Sequence, residues 1–317
     1  MDIEYLLWLQ GLRESWGSNA EFIVTLITSI PTSPLSALIP GILFWCVNKK
    51  AGLFLLLMAS FGRLINTLIK DTLCVYRPWV LDSAIQPASD AFEKASSYSL
   101  PSGHTQGATA IYGGLAYFYR HTLPRLIIPC AIIILAVGFS RNFLGVHTPQ
   151  DVLIAIIETF IVMLAAEKIF TLSAKDSRFS ALFFAAGIIF LMAAALYVLT
   201  KDYPMDYLNG EIIVSPLRAR IDSLDSLGGA AGFLFGVALE NQYVQFTTKV
   251  DSATKIRRVI IGGVVGGAAM ALLYGLKIFS NVAIYEFCKG FLPLVAIIFL
   301  APLAFNFIER RVRFKQF

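Results

Sequence analysis

The sequence predicts an all-α protein, a polytopic bundle of transmembrane helices, and two observations carry that prediction. Hydrophobic residues make up 57% of the 317-residue chain and charged residues 15%, where a soluble domain carries about 25% charged residues. The apolar residues also come in long runs, such as 51–61, 126–139, 181–199 and 259–273, and a membrane-spanning helix needs about 20 mostly apolar residues. No hydrophilic block is long enough for a separate soluble domain, so lipid is the solvent of this fold.

At the amino terminus Asp2 and Glu4 stand where a cleavable signal would be basic, and no small-residue cleavage site follows a compact apolar core. Residues 3–12 mix Tyr5, Trp8 and leucines with acids and amides, which predicts a helix lying in the interface. Nine spans follow, at 30–47, 51–69, 103–119, 126–140, 150–167, 180–199, 227–243, 258–276 and 290–307. Pro31, Pro34 and Pro40 interrupt the first, and the segment before Pro31 reads equally as a shallow helix.

The gaps between spans alternate in charge. One set holds Lys49 and Lys50, then Arg120 and Arg125, then Lys168, Lys175 and Arg178. It continues with Lys249, Lys255, Arg257 and Arg258 and ends in the tail at Arg310, Arg311, Arg313 and Lys315. The other set has fewer bases, mixed with Asp and Glu. The positive-inside rule makes the first set cytoplasmic, with the amino terminus outside and the carboxyl terminus inside. The net charge of +5 is therefore topological. No basic stripe with interleaved aromatics is present, so nucleic acid is not an expected partner. Short loops and compact tails fit a bacterial plasma membrane. Cys46, Cys74, Cys130 and Cys288 share no metal-ligand spacing, and no metal or other cofactor is expected.

Three strings fall on the non-cytoplasmic side by this charge count. KDTLCVYRP places Lys70 seven residues before Arg77, PSGH covers Pro101 to His104, and SRNFLGVHTPQD holds Ser140, Arg141, His147 and Asp151. Lys70, Arg77 and Arg141 supply three cations, and Arg pairs bidentately with phosphate while Lys acts as a point charge. Pro101 suits a first helical turn, which leaves the N–H groups of Ser102, Gly103 and His104 free to face an anion. Thr148 reads as a helix cap with Asp151 in the first turn, close enough to accept the ring N–H of His147. A carboxylate-oriented imidazole is a competent nucleophile or base.

Together the strings resemble the three-part signature of the type 2 phosphatidic acid phosphatase superfamily, which also includes vanadium haloperoxidases and bacterial acid phosphatases. All eleven signature positions match, and the resemblance covers roughly residues 20–168. It implies a phosphatase core at 1–168, including the interfacial helix, and additional transmembrane helices of unassigned role at 169–317. It further implies that His147 attacks phosphorus to form a phosphohistidine, that Asp151 orients His147, and that His104 protonates the leaving group and then activates water. Lys70, Arg77, Ser102, Gly103, Ser140 and Arg141 would hold the phosphate oxygens without a metal.

The expected partner is a lipid phosphate: phosphatidic acid, phosphatidylglycerol phosphate, a long-chain base phosphate or a polyprenyl diphosphate. Two other readings stay open at this level, a lipid phosphotransferase using the same intermediate and a non-catalytic lipid-phosphate binder or flippase. Arg63 lies inside the second span with Asn66 one turn on, and Glu158 is a candidate partner for it. His121, at a cytoplasmic turn, is expected to be inert, and Trp8, Trp16 and Trp45 read as interface anchors. Gly228, Gly232 and Gly236, with Gly262/Gly266 and Gly263/Gly267, allow close helix packing, favoured here within one chain over an oligomer seam. The polar 201–226 connection lies on the side of the three strings, placed to cover them or to contact a head group.

Overall fold

The long apolar runs become long helices, because only a helix satisfies its own backbone groups within lipid. The computed structural model describes residues 2–29, 34–93, 95, 97–208, 210–279 and 281–314. Pro31 and Lys315 lie outside these. α1 (Asp2–Ser29) is longer than the expected 3–12 helix and bends at Gly17, whose φ of 73° is left-handed. α2 (Pro34–Ile42) runs into a π-helical turn at Leu43–Val47, and α3 spans Lys49–Leu73. Two short helices, α4 (Pro78–Leu81) and α5 (Ser89–Glu93), sit in the following connection. α6 (Gly103–Ala108), a π-helical turn at Thr109–Gly113 and α7 (Gly114–Phe118) make one continuous helical path.

The remaining helices are α8 (Ile127–Phe143), α9 (Pro149–Lys175), α10 (Ser177–Thr200), α11 (Pro216–Tyr243), α12 (Ser252–Phe279), α13 (Val282–Val295) and α14 (Ala301–Phe314). Between α10 and α11 a small antiparallel hairpin pairs β1 (Tyr207–Leu208) with β2 (Glu211–Ile212).

Among the described residues, five stretches are long and apolar enough to cross a membrane: Lys49–Leu81, Pro124–Phe143, Arg178–Thr200, Ser252–Ile278 and Val282–Arg310. Each contains one of the nine expected spans. The expected spans at 103–119, 150–167 and 227–243 are helical but carry buried polar residues, among them Thr105, Gln106, Thr109, Asp151, Glu158 and Glu240. Interior-facing polar groups lower the mean hydropathy of a helix without exposing charge to lipid.

The chain divides into two compact units. One comprises 1–36, 62–166 and 197–223, and the other 37–61, 167–196 and 224–317. In the second unit a core forms around Phe44, Trp45, Phe233, Phe246, Ile298 and Phe305. Trp45 is only 2% exposed, and its indole Nε1 donates to the Ile297 carbonyl at 2.8 Å, so it is a core residue and not the expected interface anchor. Trp8 and Trp16 are exposed, as anchoring requires. Close contact of α11 with α13 explains two glycines: a Cβ on Gly228 would lie 2.0 Å from the Phe287 carbonyl oxygen, and one on Gly290 would lie 1.9 Å from that of Asp225. Gly228 thus packs within the chain, whereas a Cβ on Gly263, Gly266 or Gly267 would meet nothing within 4 Å.

Candidate active site

The first unit contains all three strings. α3 carries Lys70 in its last turn, Arg77 precedes α4, α6 begins just after Ser102, α8 ends with Ser140 and Arg141 in its last turn, and α9 starts two residues past His147. Helix ends concentrate unpaired backbone groups and functional side chains in the connections between them.

The α9 start folds as the sequence predicts. The Thr148 N–H donates to Asp151 Oδ2 at 2.8 Å, and the Asp151 N–H donates to Thr148 Oγ1 at 3.3 Å, a reciprocal cap that fixes the carboxylate. His147 Nδ1 lies 3.2 Å from the same Oδ2. On the other face of the ring, Arg77 Nη1 is 2.9 Å from His147 Nε2. A guanidinium has donors only, so Nε2 carries the lone pair and Nδ1 the proton. Burial, followed by the positive charges of Arg77, Arg141 and Lys70, holds the His147 imidazole well below its ordinary pKa of 6.5. A neutral imidazole with its Nε2 lone pair beside a guanidinium is competent to attack an anionic phosphorus centre.

Arg77 is itself fixed. Its Nη1 also donates to the Val146 carbonyl at 2.8 Å, and its Nε to the Ser97 carbonyl at 2.8 Å. Lys70 Nζ donates to the Tyr98 carbonyl at 3.2 Å, and Arg141 Nη1 donates to Thr28 Oγ1 of α1 at 3.0 Å. Arg141 Nε is buried without a protein partner among the described residues. An unpaired guanidinium N–H is costly when buried and available to an oxyanion. His104, half-buried, lies within electrostatic reach of Arg141, His147, Arg77 and Lys70, so both histidines and all three cations converge.

The PSGH string departs from expectation in one respect. Pro101 precedes the helix, and Ser102 is the cap of α6, taking the Thr105 N–H at 3.5 Å and the Thr105 hydroxyl at 3.0 Å. The Ser102 N–H is used as well, donating to the Asp151 carbonyl at 3.0 Å. That leaves the N–H groups of Gly103 and His104, which have no intrahelical acceptor by position. The Ser140 hydroxyl donates to the Val137 carbonyl at 2.6 Å and is buried.

Several contributors escape the sequence reading. Ser99, fully buried, donates from Oγ to Asp151 Oδ2 at 2.5 Å and sits 3.4 Å from His147 Nδ1. Asn142 Nδ2 donates to the His147 carbonyl at 2.9 Å. Arg13 of α1 is buried and donates to the carbonyls of Phe143 (2.9 Å) and Gln86, tying the turn before His147 to the 80s connection. Asn66 Nδ2 lies 2.5 Å from Glu158 Oε1, and Arg63 is exposed. Asp71 is buried and accepts from the Ser223 hydroxyl at 2.6 Å, which joins the start of α11 to the end of α3.

The comparisons with known proteins fit this arrangement. The family model described as the PAP2 superfamily matches residues 51–172, a range holding every candidate site residue, and one described as the PAP2 superfamily phosphatase transmembrane extension matches 224–312. Phosphatidylglycerophosphatase B of Bacillus subtilis (strain 168) is 31% identical over 153 residues, covering 45% of this chain and 70% of that protein. No solved structure matches the chain. The converging motif residues, the transmembrane helices and these matches agree: the chain belongs to the PAP2 superfamily and is a multi-pass membrane lipid phosphatase.

Proposed function

We propose that the site hydrolyses a lipid phosphate monoester through a phosphohistidine on His147. Phosphatidylglycerol phosphate is the first substrate to test, given the name of the Bacillus relative. The observation that carries the mechanism is the pairing of His147 Nε2 with Arg77 and of Nδ1 with Asp151. It presents the lone pair where a phosphate held by Arg77 would sit.

In the first step Nε2 attacks phosphorus, the P–O bond to the lipid breaks, and the leaving oxygen takes a proton from His104. Asp151 holds the Nδ1 proton and stabilises the imidazolium. Lys70, Arg77 and Arg141, with the N–H of Gly103, stabilise the charge spread over the three non-bridging oxygens. Ser102 acts through the helix start it caps, and the Ser140 hydroxyl is held on the Val137 carbonyl in the last turn of α8. In the second step His104, now neutral, takes a proton from water, the water oxygen attacks phosphorus, and the P–N bond breaks to release inorganic phosphate. The three cations supply the charge a metal would otherwise bring, so turnover is expected to survive a chelator.

The charge alternation of the gaps supports a site on the extracytoplasmic side of a bacterial plasma membrane, with the carboxyl terminus in the cytoplasm. Residues 1–168 would form the phosphatase core and 169–317 an additional transmembrane part. The test is phosphate release in detergent from phosphatidylglycerol phosphate, phosphatidic acid, a long-chain base phosphate and a polyprenyl diphosphate, with and without EDTA. Release that continues in EDTA and vanishes in His147→Ala is expected. Unchanged release by that variant, or loss of release in EDTA, overturns the mechanism.

A further inference from the structure

A cavity of about 260 Å³ opens beside the phosphate-binding arginine, within the first unit. Its walls come from three segments: Tyr76, Arg77 and Trp79 around the start of α4, Phe92 of α5, and Ile213 and Val214 after β2. Trp79 and Phe92 meet edge to face at 5.2 Å between ring centroids, and the Arg77 guanidinium lies 6.0 Å from the Trp79 ring. The hairpin arm is tied to the segments that carry the cradle. Asp206 accepts from the Tyr76 hydroxyl through its side chain and from the Ile213 N–H at 2.9 Å through its carbonyl. Val214 packs with Tyr98 and Tyr203 in a buried cluster that also touches Tyr76.

Among the described residues that line the cavity the charged side chain is Arg77, which suits an anionic group. A guanidinium at one wall, with Ser97 beside it, and mainly apolar or aromatic groups elsewhere match an amphiphile: an anion at Arg77 and alkyl groups beyond it. The volume has room for roughly nine water-sized groups, at about 30 Å³ each, which is the first stretch of one chain and not a whole lipid. Phe92, one of the lining residues, is exposed, so apolar surface extends from the cavity to the outside of the protein.

We propose that this cavity is a subsite for an alkyl segment of the substrate lipid, with Ile213 and Val214 of the hairpin arm as its specificity wall. The assignment rests on the lipid-phosphatase site proposed above. It places chain selection in the 201–226 connection, outside the segment matched by the superfamily model.

The test compares kcat/KM for dioleoyl and dibutanoyl phosphatidic acid in the same detergent. Ile213→Trp, which fills the cavity, should lower the dioleoyl-to-dibutanoyl ratio about 10-fold or more, the size of effect a hydrophobic pocket exerts on alkyl substrates. Phe92→Ala removes a half-exposed wall residue, so it keeps the fold and should lower the ratio in the same direction. A ratio unchanged in both variants, whether the two rates fall together or stay at wild-type level, overturns the proposal. No phosphate release by the wild type from any lipid phosphate would instead remove the underlying reading, a result that the variants' ratio cannot mimic.

Discussion

Gly103→Ala separates a residue that the fold needs from one that the substrate needs. A Cβ built on Gly103 comes no closer than 3.9 Å to any neighbour, the nearest being Asn66 Oδ1, which is ordinary van der Waals contact. Gly103 has no positive φ and begins a helix, so alanine there is tolerated by the backbone. Replacing a compatible helical glycine by alanine stabilises by about 0.5–1 kcal/mol. The thermal midpoint in detergent should therefore hold or rise slightly. Activity should behave oppositely. Gly103 is exposed on the side of the cradle, and a methyl there stands where a phosphate oxygen would approach the N–H. Displacing phosphorus from Nε2 by even ~1 Å costs on the order of 100-fold in rate. The assay is kcat/KM for phosphate release alongside a melting curve on the same preparation. Wild-type turnover with an undiminished midpoint would refute the placement of phosphate at this helix start, and a fallen midpoint would refute the claim that the fold has room.

Ser99→Ala removes the 2.5 Å hydroxyl bond to Asp151 but leaves the Thr148 N–H and His147 Nδ1 on that carboxylate. A hydrogen bond to a charged group contributes about 1.5–3 kcal/mol, so kcat should fall by roughly 10- to 100-fold, with KM nearly unchanged; a pure KM effect would contradict a positioning role. Arg13→Met breaks the bonds to the Phe143 and Gln86 carbonyls and leaves the buried Phe143 carbonyl without this donor, so stability should drop by on the order of 1–3 kcal/mol. A melting curve with no shift would show that α1 does not hold the His147 turn. Because His147 titrates well below 6.5, its lone pair persists into acid, and the acidic limb of kcat/KM should lie well below that pH. Protonation there removes the nucleophile, so the rate falls as pH decreases; an acidic limb at or above 6.5 would contradict the burial and the three cations that depress it.

The residues that carry charge and ring nitrogens stand out in the sequence as three short strings, which the resemblance to a known signature joins into one candidate site. Lys70, Arg77, His104, Arg141, His147 and Asp151 sit in short strings whose helix-end positions follow from local rules, and the reciprocal Thr148–Asp151 cap forms as those rules require. The residues that hold them in place do not stand out. Ser99 reaches Asp151 across 52 positions and Arg13 reaches the Phe143 carbonyl across 130, so nothing local marks either one. Pro101 shows the limit of a local rule. It fits a first helical turn, yet the turn belongs to Ser102, whose N–H is taken by the Asp151 carbonyl. Trp45 fails for a similar reason: an indole suits an interface or a core, and its Nε1 finds the Ile297 carbonyl in the core. The expected segments at 103–119, 150–167 and 227–243 form helices, but with their buried polar faces they are not among the five stretches long and apolar enough to cross a membrane.

The central claim is that His147 Nε2 bonds to phosphorus. Rapid mixing with a lipid substrate carrying labelled phosphate, followed by an alkaline quench and peptide mapping, tests it directly, because a phosphorus–nitrogen bond survives base and is lost in acid. Acid-labile, base-stable label confined to the peptide containing His147, and absent in His147→Ala, is the expected result. Label on another residue, or full turnover in a protein that never acquires label at His147, would contradict it.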